Sequence, residues 1–198
     1  MAPGAALRKS LRPLEEGLNP RLGSGSVRGF PMPLQIRPAA QGDIPAILGF
    51  IRGLAAYEKL LNEVEATEER LADTLFPSGG RPPAAECVLA FLDGRPAGFA
   101  LFFGTYSTFL AKPGLYLEDI FVEPGLRGRG IGRALLLHVA KLACARGCGR
   151  LEWSVLDWNE PAIRFYDSLG AKMMTDWRIC RLTGESLSRH AGSASEEG

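Results

Sequence analysis

Two apolar runs, Cys87 to Leu92 and Arg95 to Phe103, are separated by only the two residues Asp93-Gly94. Asp-Gly readily takes the positive φ values of a type I′ turn, whose twist matches that of the flanking strands, so the pair predicts a tight antiparallel hairpin. A hairpin at this place constrains the fold strongly. It excludes an uninterrupted series of parallel strand-helix units, and it requires a sheet at least partly antiparallel.

The rest of the pattern builds around that hairpin. Leu34-Gln35-Ile36-Arg37 reads as a first strand. Asp43 is placed to cap a helix whose apolar residues Ile44, Ile47, Leu48, Ile51 and Leu54 share one face at helical spacing. Thr67 opens a shorter helix, with Glu68 and Glu69 at its positive end. A Gly/Tyr/Ser/Thr/Pro loop over residues 104–114 then leads to a strand from Leu115 to Val122. A helix over 131–146 follows, with Leu135, Val139 and Leu142 on its buried face. A strand from Leu151 to Leu156, a helix from Glu160 to Leu169 stopped by Gly170, and two final short strands complete the run. The expectation is an α/β (α+β) domain with a mixed central sheet of about seven strands flanked by helices.

Composition sets the boundaries and excludes several functions. Residues 1–33 hold five Gly and five Pro with a single aromatic, too little apolar surface to order a segment, and 1–33 is expected to be a disordered leader. The expected domain spans 34–190, and 191–198 is expected to be a disordered tail. With 23 Lys+Arg against 22 Asp+Glu the chain shows no basic footprint for nucleic acid. No apolar run reaches the roughly 20 residues of a membrane span. Four scattered cysteines without a CxxC pair read as thiols of a cytoplasmic protein, and no His/Cys set makes a metal site.

Chemistry is concentrated after the fourth strand. Arg127-Gly128-Arg129-Gly130-Ile131-Gly132 stands between a strand and a helix, where backbone N–H groups and the helix dipole converge on a phosphate. A Walker loop would require Gly-Lys-Ser/Thr, which is absent. A dinucleotide fingerprint would place its third glycine at Arg133 and contradicts the hairpin. The remaining pattern, Arg-x-x-Gly-x-Gly, resembles the pyrophosphate loop of the GCN5-related N-acetyltransferase (GNAT) superfamily. Three further segments, Tyr116 to Val122, Val155 to Ala162 and Phe165 to Ala171, together with Leu54 to Lys59, are similar to its spermidine/spermine (diamine) and thialysine acetyltransferase branch.

That resemblance implies acetyl transfer from acetyl-CoA to an amine by direct attack in a ternary complex. It places a general base at Glu118, with an ion pair or amine anchor as the alternative, and a general acid at Tyr166, otherwise a buried packing aromatic. It implies that the backbone of Ile120, Phe121 and Val122 holds the pantetheine arm, and that Arg127, Gly128, Arg129, Gly130, Ile131 and Gly132 hold the pyrophosphate. Asn159, Ala162 and Tyr166 complete the cofactor contacts, although Asn159 would also serve as a helix cap. Acceptor contacts fall on Tyr57, Glu58, Glu118, Glu152, Trp153 and Ser154. The family's longer acidic stretch before its Trp is reduced here to Lys172-Met173-Met174-Thr175-Asp176, so a lysine-like amino acid stands beside a polyamine as acceptor. Relatives in the branch are homodimers, which implies a dimer. A protein amine acetyltransferase and a non-catalytic acyl-CoA-binding module are the alternatives.

Overall fold

A computed structural model describes residues 34–190. The expected leader and tail, 1–33 and 191–198, lie outside the described residues. The elements are β1 (Gln35–Pro38), α1 (Ile44–Glu58), α2 (Glu68–Leu75), β2 (Glu86–Leu92), β3 (Arg95–Ser107), β4 (Lys112–Val122), α3 (Ile131–Ala145), β5 (Leu151–Glu152), α4 (Glu160–Ser168) and α5 (Gly184–Ser188). The strands form one sheet in the order β1-β2-β3-β4-β5. The first three pairings are antiparallel and β4–β5 is parallel, the mixed sheet that the hairpin requires.

Local chemistry explains where the expectations hold. Asp93 and Gly94 both adopt positive φ, 52° and 74°, and Leu92 pairs directly with Arg95. Thr67 Oγ1 accepts the Arg70 N–H at 3.2 Å and caps α2. Thr67→Ala should therefore cost about 1 kcal/mol, lowering Tm by about 2–4 °C in a chain of this size, as calorimetry would measure. Asp43 behaves otherwise. Although it occupies the N-cap of α1, its carboxylate turns back to accept from Arg37 Nη1 at 2.7 Å and from the Ala40 N–H at 2.8 Å, and it leaves the helix uncapped. A charge-assisted bond to Arg37 outcompetes a neutral backbone donor.

Three expectations about the sheet are corrected. Among the described residues there are five strands, not about seven. The strand expected over Leu151 to Leu156 is ordered only as Leu151–Glu152, and so short a β5 offers almost no ladder to a sixth strand. The segment after α4 accordingly has no strand. Its adjacent Met173 and Met174 are both exposed, without the alternation that a half-buried strand requires. The expected loop over 104–114 is instead mostly ladder, with Gly104 opposite Leu115 and Thr105 opposite Gly114. Gly114 serves close packing here rather than a turn: a Cβ on it would lie 2.6 Å from Thr105 Oγ1.

Two apolar layers hold the sheet. Leu89, Phe99 and Phe121 pack against Ile47 and Phe50 of α1 and Leu71 of α2. Val88, Ala100, Phe102, Leu115 and Leu117 pack against Leu135 and Val139 of α3 and Tyr166 of α4. The change of side within β4, from Leu117 to Phe121, comes from a bulge. Leu117 pairs with Phe102 and Asp119 with Leu101, so Glu118 is the extra residue and side-chain parity reverses beyond it. Asp119 thereby joins Phe121 on the α1 side, and Ile120 and Val122 join the α3 side.

Candidate active site

The sheet opens at its β4–β5 junction. The parallel ladder contains only Leu115–Leu151 and Tyr116–Glu152, whereas β4 continues to Val122. Beyond Tyr116 the two strands diverge, and the β4 backbone is left without a strand partner on that edge. Such an edge can accept an extended arm as though it were another strand. Where the ladder ends, a side-chain bond takes over: the hydroxyls of Tyr116 and Ser154 lie 2.7 Å apart.

The fork opens into a cleft of about 770 Å³. Most of the residues anticipated from sequence line it: Tyr57 and Glu58 from the end of α1; Glu118, Ile120, Phe121 and Val122 from β4; Arg127, Gly128, Gly130, Ile131 and Gly132 from the loop and the start of α3; and Trp153, Ser154, Asn159, Ala162 and Tyr166 from the opposite wall. Arg129 and Glu152 are not in the lining. Glu152 sits at the last rung of the ladder, with Arg150 Nε 2.7 Å from its Oε2.

One end of the cleft is rich in donors. Gly128 and Gly130 hold φ near 76° and 79°, with nothing within 4 Å of where a Cβ would project. Side chains strongly disfavour that backbone conformation, and their absence leaves the loop amides approachable. Gly130 is the N-cap of α3 and supplies no side-chain cap, so the first-turn N–H groups are available to an anion. Arg127 lies across the same end. Its Nε donates to the Val122 carbonyl at 3.1 Å, and its guanidinium covers the rings of Tyr57 at 4.8 Å and Phe121 at 5.5 Å. Tyr57 Oη in turn donates to Asn159 Oδ1 at 3.2 Å, and the same oxygen accepts the Ala162 N–H at 3.4 Å. Asn159 is thus both the cap of α4 and part of the cleft wall.

Glu58, Glu118 and Asp119 bring acidic groups into the same cleft. Burial, reinforced by the charges of Glu118 and Glu58, pushes the Asp119 carboxyl up to about 6. Glu58 is also raised, by burial. Tyr166 is 7% exposed, with its ring 5.0 Å from that of Trp153 and 5.3 Å from that of Phe165, and burial raises its hydroxyl. It stays protonated throughout the neutral range. The Cys87 thiol, pushed up to about 12 by burial, is too weakly acidic to act as a nucleophile.

Asp119, Arg133 and Ile179 also line the cleft but were not among the residues anticipated from sequence. For Asp119 the only signal was adjacency to Glu118. Strict strand alternation would have placed it opposite Phe121's actual side, and only the bulge brings it round.

A strand edge released beside a glycine turn that opens a helix, with a buried tyrosine in the facing wall, is an arrangement suited to an acyl-CoA-dependent transferase. The acetyltransferase (GNAT) family profile matches residues 50–171. The chain belongs to this family and is an acetyl-CoA-dependent N-acetyltransferase. It is 38% identical over 170 residues to thialysine N-epsilon-acetyltransferase of Bos taurus, covering 80% of this chain and 98% of the relative. It is 37% identical over 206 residues to L-ornithine N5-acetyltransferase of Arabidopsis thaliana, covering 82% and 90%. Among solved structures, an integron cassette protein from the mobile metagenome of V. cholerae superposes with a TM-score of 0.67 at 26% identity, covering 82% of this chain and 99% of that one.

Proposed function

We propose that this enzyme moves the acetyl group of acetyl-CoA directly to a primary amine of a small cationic acceptor, a diamine or polyamine or an amino acid of the thialysine or ornithine type. One observation carries the reading: a single cleft combines Arg127, Arg133 and free loop amides with the carboxylates of Glu58, Glu118 and Asp119, and Tyr166 is buried in its wall. The donor groups suit the phosphates of CoA and the carboxylates suit an ammonium. The residues present fit CoA, because the loop glycines leave room for close approach and the β4 edge from Ile120 to Val122 matches an extended arm. Bound acetyl-CoA supplies the acetyl thioester. The chain's own residues then orient the amine, take a proton from it at Glu118, and give one to the departing sulfur from Tyr166 Oη.

Two supporting features concern the assembly and the setting. Met173, Met174, Trp177, Ile179 and Leu182 are exposed after α4, and Ile179 also borders the cleft. We take this apolar stretch to be covered by a second copy in a homodimer, which light scattering would test. Residues 34–190 act as one catalytic unit in this reading. No described helix is long and apolar enough to cross a membrane, and all four cysteines are free thiols, in keeping with a cytoplasmic enzyme.

The deciding experiment is release of free CoA thiol from acetyl-CoA against 1,4-diaminobutane, spermidine, thialysine, ornithine and lysine-containing peptides. Turnover of diamines or free amino acids at least tenfold faster, by kcat/KM, than of peptides is expected. Turnover confined to peptides would overturn the small-amine assignment, and CoA binding without turnover would favour a non-catalytic module.

A further inference from the structure

The acceptor nitrogen enters as an ammonium with three N–H bonds and leaves as an amide with one. Two protons must therefore depart from nitrogen, whereas the departing sulfur takes up one. A single carboxylate that accepts one proton has to discharge it before it can accept another. The cleft offers more than one acceptor, because the β4 bulge places consecutive carboxylates in it. Glu118 is the bulged residue, and Asp119 follows it with reversed parity on the α1 side, near Glu58.

We propose that Glu118 and Asp119 work as a pair, each receiving one of the two protons that the acceptor nitrogen sheds. This rests on the acetyl-transfer reading above. The first N–H bond breaks to Asp119, and the lone pair left on nitrogen forms the C–N bond to the acetyl carbon. The second N–H bond breaks to Glu118. The electrons of the C–S bond leave with sulfur, which takes the proton of Tyr166 Oη. One proton of the carboxylate pair restores Tyr166 and the other is released to solvent, so each turnover yields one proton overall.

The surroundings of Asp119 suit this role. Its carboxylate makes no hydrogen bond or ion pair among the described residues, and no cationic group contributes to its raised pKa. The titratable groups facing it are Glu118 on its own strand, Glu58 at the end of α1, and the Cys87 thiol of β2, which stays neutral. With no cation to hold it ionised, burial and its two acidic neighbours bring it up to about 6, close to the pH at which it must accept and release protons. Below that pH it is protonated before the amine arrives, so the rate must fall as pH drops through about 6.

The test joins kinetics to direct titration. Asp119→Asn should lower kcat about 10- to 100-fold, remove the acid limb near pH 6, and leave KM for acetyl-CoA unchanged. Glu118→Gln should lower kcat by a similar factor yet retain an acid limb, moved to lower pH because the charge of Glu118 no longer raises Asp119, and Asp119→Glu should recover part of the rate. An Asp119→Asn enzyme within threefold of wild type, or one whose acid limb persists, overturns the pairing. Carbon-13 NMR of the Asp119 carboxyl in the full chain supplies a readout independent of turnover and of a poorly folding variant. Its midpoint should lie near 6 and fall by at least half a unit with 1,4-diaminobutane or thialysine present. A midpoint near 4, or no response to either amine, overturns the pairing. If the wild type turns over no amine but the midpoint responds, the acetyl-transfer reading fails while the carboxylate pair stands as a cation site.

Discussion

Tyr166→Phe lowers kcat by about 100-fold or more and leaves folding and acetyl-CoA affinity nearly unchanged. The two halves of this expectation have separate physical causes. Tyr166 is a core residue as well as a candidate acid: its ring packs against Trp153 and Phe165 and belongs to the layer between the sheet and α3. Phenylalanine preserves those contacts. The hydroxyl makes no hydrogen bond among the described residues, so its removal orphans no partner, and Tm should stay within about 2 °C of wild type for a change near 0.5 kcal/mol. What is lost is the proton. Burial keeps the hydroxyl protonated across the neutral range, so the wild type has its donor at every useful pH and the loss should be independent of pH there. Steady-state thiol release between pH 6.5 and 8.5, paired with calorimetric titration of acetyl-CoA, measures both halves. A rate within threefold of wild type would show that Tyr166 is only a packing aromatic.

What could be read in the sequence was local. The Asp93-Gly94 turn needs two residues with positive φ, and the glycine turn before α3 needs Cβ-free positions beside a helix start, so both are written in a few adjacent letters. The periodic faces of α1 and α3 are equally local, and Ile47, Leu135 and Val139 are fully buried as expected. The fork and the bulge are different in kind. Whether Glu118 is skipped in the pairing depends on the register of β4 against β3, and whether β5 stops at Glu152 depends on how far β4 diverges from it. Neither quantity is encoded in one segment, so the run over Leu151 to Leu156 predicts a longer strand than forms, and the sequence alone does not turn Asp119 toward the α1 side of the cleft. Glu152, on the rung that pairs it with Tyr116, lies outside the cleft lining, a position that also depends on where the ladder ends. Asp43 shows the limit of propensity: a good cap residue is diverted when an arginine stands six positions earlier on a neighbouring strand.

The geometry that creates the cleft also makes it fragile at one point, Gly98. This residue pairs with Val122, the last position of β4, and a Cβ on it would fall inside van der Waals contact with the Phe121 carbonyl oxygen. Val122 Cα at 3.2 Å and Cγ2 at 3.3 Å close the remaining room. The obstacle is mainly backbone, so no rotamer change relieves it, and β3 and β4 must separate. Gly98→Ala should accordingly cost about 3 kcal/mol, a fall in Tm of about 6–12 °C. Gly49→Ala is the matched control: it lies within α1 with nothing within 4 Å of its Cβ, and it should stabilise by up to about 1 kcal/mol. The functional consequence follows from the place of the strain. Separation at Gly98 moves the backbone of Phe121 and Val122, the edge proposed to hold the pantetheine arm, while Glu58 and Tyr166 lie on α1 and α4 and keep their own supports. KM for acetyl-CoA should therefore rise more than tenfold, and KM for the amine should change far less. An equal rise in both constants, with the same fall in Tm, would mean that the β4 edge is not where acetyl-CoA is held.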